Sequence, residues 1–315
     1  MSSRSSQAWS NYWASGKVST FGGIETASSA QSLTGLWGSY LGPLTTGNKC
    51  LDVGCGNGSL GQMILEIASG QSQQVDITGV DTASLPHDLE VPEGMTLLGD
   101  TRVEELPFVD GGFDRVLSQF GFEYADIPAA VKEVKRVIKA DGRVNLIGHH
   151  LSSWVCRDSF DILRQMAQAE ESALIVSVER LLTRLDMLRS EKKNPEQDAD
   201  ANNLRKLVNG TVQELEKSAK ESNNPGFTIS FLNSVMAVFK EEMGGLEAHR
   251  TYLKDLSTSI IDYGTRLNSQ KEVARDDAGW QEIRTCFEAE GFNVVRFEPC
   301  VINGYHFGQY LEATP

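Results

Sequence analysis

The chain has 315 residues, enough for one large domain or two smaller ones, and its 40% hydrophobic and 23% charged content is ordinary for a water-soluble globular protein. Its 43 acidic against 29 basic residues give a formal net charge of −14, a surface that repels phosphate backbones and argues against a nucleic-acid partner. Cys50, Cys55, Cys156, Cys286 and Cys300 are scattered without metal-ligand spacing, the N-terminus lacks a signal-peptide core, and no run reaches the roughly 18–20 apolar residues of a bilayer span, so a cytoplasmic protein with reduced thiols, no membrane span and no bound metal is expected.

Short apolar strands then alternate with helical patterns, the signature of βαβ units and a mostly parallel sheet. Lys49 to Val53 reads as a strand that ends in a glycine loop, followed by a helix over Ser59 to Ala68. Gln74 to Val80, Thr96 to Gly99 and Phe113 to Ser118 read as further strands. An amphipathic helix is predicted over Pro128 to Ala140, stopped by Asp141-Gly142, which admits a fifth strand over Arg143 to Gly148.

From about Ser152 to Gln270 helical spacing replaces strand alternation, as in Ile162, Met166, Leu174, Val178, Leu181, Leu182, Leu185 and Leu188. A polar break over Glu191 to Asn203 precedes helices around Leu204 to Ala219, Ile229 to Met243 and Leu246 to Leu267, with Asn223 to Gly226 and Gly244-Gly245 as turns. A block of roughly 120 residues is too long for a loop and must carry its own structure. Trp280 to Glu290 reads as a helix capped by Gly291, and Asn293 to Glu298 with Gly304 to Leu311 read as a closing pair of strands. The expected division is 1–44 as an N-terminal helical lid, 45–151 with 276–315 as one α/β domain, and 152–275 as a helical cap or insertion.

Leu51-Asp52-Val53-Gly54-Cys55-Gly56-Asn57-Gly58-Ser59-Leu60 lies between a strand and a helix. Glycines there remove Cβ atoms and let backbone approach a ligand at a helix N-terminus. A spaced-glycine loop alone serves several cofactor classes, or is a tight βα turn. Asp81 closes the next strand in Ile77-Thr78-Gly79-Val80-Asp81-Thr82, where a carboxylate suits ribose hydroxyls or caps a helix. Leu106-Pro107-Phe108 and Phe113-Asp114-Arg115-Val116 follow. Together, over about residues 45–150, these segments resemble the class I S-adenosylmethionine (SAM)-dependent methyltransferases, in particular the group that includes quinone-biosynthesis and other small-molecule enzymes.

The resemblance implies a doubly wound, seven-stranded, mostly parallel sheet of the Rossmann-like methyltransferase type, with a helical insertion after the fifth strand. It implies SAM as cofactor, held at Asp52, Gly54, Cys55, Gly56, Asn57 and Gly58 on the methionine side and at Asp81 and Thr82 on the ribose side. Cys55 itself reads as a small packing residue. Family members usually carry Asp and Ala before the Leu-Pro-Phe segment to contact adenine; here Arg102 and Val103 stand there, and Asp100 lies two residues earlier, so all three are candidates. Gln119 borders SAM in the resembling enzymes. Trp13, with Trp9, Tyr12 and Phe21, is expected to fold over the cofactor as a lid.

Ligands of such sheets lie beyond the carboxyl ends of the strands. That rule selects Gln119 to Tyr124 after the fourth strand and His149-His150 after the fifth. A hydroxyl or ammonium acceptor needs a base, and imidazole titrates near working pH, so His149 or His150 is the first candidate, with Tyr124 and Glu123 behind. A carboxylate or thiolate acceptor needs none. The expected reaction is in-line methyl transfer to a small or medium-sized hydroxyl, amine or carboxylate acceptor. A protein or tRNA acceptor, a SAM-binding subunit without catalysis and a nicotinamide dehydrogenase are the alternatives. Residues 151–275 hold 17 basic and 19 acidic side chains, no basic arm for tRNA, and the block could instead serve homodimerisation.

Overall fold

Period-two alternation gives the strands two buried faces, and the computed structural model, which describes residues 3–17, 27–222, 224–240 and 244–315, shows how they are used. In chain order the elements are α1 (Ser3–Ala14), α2 (Ala27–Leu41), β1 (Lys49–Val53), α3 (Ser59–Gly70), β2 (Asp76–Val80), β3 (Met95–Leu98), β4 (Phe113–Gln119), α4 (Ile127–Val137) and β5 (Ile138–Gly148). There follow α5 (Trp154–Glu171), α6 (Leu174–Ser190), α7 (Ala199–Glu221), α8 (Gly226–Ala237), α9 (Leu246–Val273), α10 (Asp277–Ala289), β6 (Asn293–Ile302) and β7 (Tyr305–Thr314). A 3-10 turn over Phe122–Tyr124 lies between β4 and α4.

The chain separates into two units, Met1–Arg157 with Asn268–Pro315, and Asp158–Leu267. In the first, seven strands form one sheet in the order β3-β2-β1-β4-β5-β7-β6. The first five run parallel, and β7 is antiparallel to both β5 and β6. This is the Rossmann-like methyltransferase arrangement, with the helical block inserted after β5. Leu51, Val53, Val116, Val144, Leu146 and Leu311 bury one face against Val131, Val134, Trp280 and Phe287 of α4 and α10. Cys50, Ile77, Leu117, Ile147 and Tyr310 bury the other against Trp37, Leu41, Leu60 and Ile64 of α2 and α3. Burying each large side chain stabilises the fold by about 1.5–3 kcal/mol, so both layers hold the strand ends rigidly.

One boundary differs from the sequence reading. The helix expected to run to Ala140 and stop at Asp141-Gly142 ends at Val137, and Ile138 already opens β5. Ile138 pairs with Phe113, whereas Arg143 pairs with Arg115, so residues 139–142 are a bulge within the strand. Sheet pairing and burial of Ile138 in the same cluster as Val134 and Val137 outweigh the local helical pattern. The closing strands are longer than expected, 10 residues each, because they pair with one another through nearly their whole length. Of the other expectations, Phe21, Asn223 and Met243 lie outside the described residues.

The second unit is helical, with Leu174, Val178, Leu181, Val208, Leu215, Phe231, Val235 and Leu253 as its buried cluster. Gln165 accepts from the Thr228 backbone N–H and hydroxyl and donates to the Asn224 carbonyl, tying α5 to the start of α8. Arg184 forks onto both oxygens of Asp198 at 3.0 and 2.7 Å, and Asp198 also accepts from the Ala201 N–H as N-cap of α7. No described helix is long and apolar enough to cross a membrane, and no described cluster of three or more His, Cys, Asp or Glu could hold a metal ion.

The bond from Arg184 holds the Asp198 carboxyl down at about 2. A depressed carboxyl stabilises the fold above its unfolded value near 4, and that contribution disappears as pH falls through the folded value. Asp198→Ala is therefore expected to lower the melting temperature by a few degrees at pH 7. Thermal scans should show the gap to wild type closing between pH 4 and pH 2.

Candidate active site

β1 ends at Val53, and the loop Gly54–Gly58 carries the chain into α3. Gly54 has φ +72°, and a Cβ there would lie 2.6 Å from the Gly121 Cα. The backbones that follow β1 and β4 therefore touch, which no side chain would permit. Ser118 bridges the same loops: its hydroxyl donates to the Val53 carbonyl at 2.7 Å and accepts from the Phe122 N–H at 3.0 Å.

Two carboxylates attend the glycine loop. Asp81 Oδ2 accepts from the Gly56 N–H and Oδ1 from the Ala83 N–H, both at 2.8 Å, fastening the loop to the end of β2. Asp52 is buried, and its Oδ2 has no hydrogen-bond partner among the described residues. Burial, reinforced by the nearby charge of Asp81, pushes the Asp52 carboxyl up to about 7. Burial likewise raises Asp81, opposed by the two backbone donors. A buried acceptor without a donor, beside a second carboxylate, suits a cationic ligand that carries N–H groups.

The aromatic helix α1 lies on this loop. A Cβ at Gly56 would meet the Trp13 ring at 2.3 Å, so the indole sits where only glycine leaves room. Asn57 donates to the Trp13 and Lys17 carbonyls at 3.0 and 2.8 Å, pinning the end of α1 to the loop. Trp9 stacks on Trp13 and meets Tyr124 edge-on, with ring centroids 5.8 and 6.2 Å apart. Cys55 is buried, with its thiol against the space a Cβ at Gly79 would fill.

A second group gathers beyond β4 and β5. His149 Nδ1 lies 2.6 Å from Glu123 Oε1, which also accepts the His149 backbone N–H at 2.7 Å. Both side chains are buried. The Trp280 indole donates to the His149 carbonyl at 3.0 Å, and the Phe120 ring covers the imidazole with centroids 4.4 Å apart. Tyr124 meets its edge; burial and the Glu123 charge push that phenol far up, opposed by a bond with Ser269.

The remaining candidates separate. His150 turns to its own cluster: Nε2 is 3.0 Å from Asp277, and Nδ1 is 2.9 Å from the Ser152 hydroxyl, which also reaches His306. Gln119 uses its carbonyl oxygen to accept from the buried Trp37 indole of α2. Asp100, at φ +52°, accepts from the Ser84 hydroxyl, and Thr82 lies between Asp81 and Ala83. Arg102 is exposed and pairs with Glu104, whereas Val103 enters the apolar core. Trp280 and Ser269 escape a sequence reading, since each is more than 100 residues from His149 or Tyr124 and no local motif connects them.

The methyltransferase domain family matches residues 51–146. The 2-phytyl-1,4-naphtoquinone methyltransferase of Trichormus variabilis is 28% identical over 109 residues, covering 33% of this chain and 48% of that protein. The ubiquinone/menaquinone biosynthesis C-methyltransferase UbiE of Geotalea uraniireducens is 32% identical over 109 residues, covering 32% and 45%. Among solved structures, the geranyl diphosphate C-methyltransferase of Streptomyces coelicolor A3(2) superposes with a TM-score of 0.36 at 15% identity, over 48% of this chain and 67% of that one. The chain spans about half the length of the curated relatives it matches. Through the segment that holds the glycine loop, Asp81 and the strands beside them, it matches the methyltransferase domain family and is similar to the quinone methyltransferases.

Proposed function

We propose that this protein transfers the methyl group of SAM to a small or medium-sized acceptor. The observation that carries the reading is the unmet Oδ2 of buried Asp52, set beside Asp81 on the glycine loop. The ammonium of SAM would supply Asp52 with its missing donor. The ribose hydroxyls would bind Asp81, whose oxygens keep lone pairs beyond the bonds from Gly56 and Ala83. The backbone of Gly54, Cys55, Gly56, Asn57 and Gly58 would follow the methionine portion, with Thr82 and Asp100 on the nucleoside side. When bound, SAM supplies a methyl group already activated by its sulfonium.

The protein's own work is then alignment and exclusion of water. Trp9, Tyr12 and Trp13 act as the lid, held down by Asn57. Segments 45–151 and 276–315 form the cofactor domain. His149 is the base, because its Nε2 has no hydrogen-bond partner among the described residues, whereas both nitrogens of His150 are engaged. Tyr124 stays protonated and serves as a hydrogen-bond donor.

Calorimetry should show SAM binding and no response to NAD; the reverse would end the proposal. Asp81→Ala removes charge-assisted acceptors and should weaken SAM roughly 10- to 100-fold. Unchanged affinity would remove its ribose role.

Asp52 carries a linked cost. Its carboxyl titrates near 7 when folded, above its unfolded value, so the folded state binds the extra proton and stability falls as pH rises from about 4 through 7. Asp52→Asn, which cannot ionise, should melt a few degrees above wild type at pH 8 and match it at pH 4. The same variant should bind SAM more weakly at pH 8, by roughly tenfold.

A further inference from the structure

We propose that Glu123 is a positioning residue that fixes His149 as a general base, and that the methyl acceptor is therefore a hydroxyl or ammonium group that enters the site protonated. The inference rests on the methyl-transfer reading above and adds the acceptor class.

The tautomer follows from counting donors. Glu123 Oε1 faces two groups of the same residue, the His149 backbone N–H at 2.7 Å and ring Nδ1 at 2.6 Å. A carboxylate oxygen only accepts, so Nδ1 carries the proton and Nε2 keeps its lone pair. The ring cannot turn away from this assignment. Phe120 covers it, and the residue is itself held in the left-handed region at φ +58°, where its N–H donates to the Ile147 carbonyl at 2.7 Å. Trp280 grips the His149 carbonyl.

Gly148 makes room for both supports. A Cβ there would lie 2.5 Å from the Trp280 ring and 3.1 Å from Glu123 Oε2. The other titratable groups around the pair are the Tyr124 phenol and the Cys156 thiol, both raised by burial and so neutral. Glu123 thus supplies the charge that faces the ring.

This arrangement matches acceptors that must lose a proton before transfer. Carboxylates and thiolates arrive ionised, need no base and are repelled by a buried carboxylate. A hydroxyl or an ammonium must lose a proton. In the step, the O–H or N–H bond breaks and its proton moves to His149 Nε2, while the electron pair left on oxygen or nitrogen forms the new bond to the methyl carbon and the S–C bond of the methyl donor breaks. Glu123 balances the imidazolium until product leaves and solvent takes the proton.

The experiment is nitrogen-15 NMR of the histidine rings in the full chain, titrated in wild type and Glu123→Gln, with His149→Ala for assignment. Wild type should show the Nδ1–H form of His149. The isosteric Gln loses the charge and is a weaker acceptor, so the share of the Nδ1–H form of His149 should fall. An Nε2–H tautomer in wild type, or a tautomer ratio unmoved by Glu123→Gln, would overturn the positioning role. In a panel of phenols, alcohols, amines, thiols and carboxylic acids, methylation should fall on hydroxyls or amines, with the rate dropping at least tenfold in Glu123→Gln at unchanged KM for SAM. Transfer confined to thiols or carboxylic acids would overturn the acceptor class. Failure to bind SAM in calorimetry would strike the methyl-transfer reading alone, leaving the NMR result standing.

Discussion

The site depends on one close approach, the backbone contact between Gly54 and Gly121. It sets the glycine loop against the segment that carries Phe120, Glu123 and Tyr124. Were either residue to bear a Cβ, the two loops would separate by the width of a methyl group and Ser118 could no longer bond to both. The parallel pairing of β1 with β4 brings the strand ends into line, and the glycines let them close. The two segments are thereby joined by main chain, the least deformable part of the molecule.

Electrostatics gives the two halves of the site different characters. Around the glycine loop, Asp52 and Asp81 hold like charges under burial, a state that costs stability in the free protein. That cost is the reservoir a cationic ligand can release, which ties affinity to the same groups that weaken the fold. Beyond β5 the balance is reversed. Glu123 is buried with a partner that can share its charge, and the pair is framed by aromatic rings and neutral donors. Strain and mismatch gather at the site, and the apolar layers on both faces of the sheet absorb them.

Much of this was legible in residue order because the signals are local. Short apolar runs marked β1, β2 and β4, and the glycine loop with Asp81 marked the proposed cofactor end, since strand, turn and helix N-terminus lie within one βαβ unit. The α4–β5 boundary was not legible: Ile138 satisfies a helical pattern equally well, and only pairing with Phe113 decides against it. The two adjacent histidines were indistinguishable as residues. Neighbours distant in sequence separate them, Glu123 and Trp280 for His149 and Asp277 and His306 for His150.

By itself, the sequence determined the fold class, the glycine loop and the interruption by a helical block, since each follows from periodicity or from a motif within a few dozen residues. Tertiary structure alone decided which imidazole nitrogen and which Asp52 oxygen have no hydrogen-bond partner among the described residues, and that Trp13 lies on Gly56. Those outcomes depend on which groups remain unpaired once distant segments have packed, and hydrogen-bond saturation is a property of the packed whole.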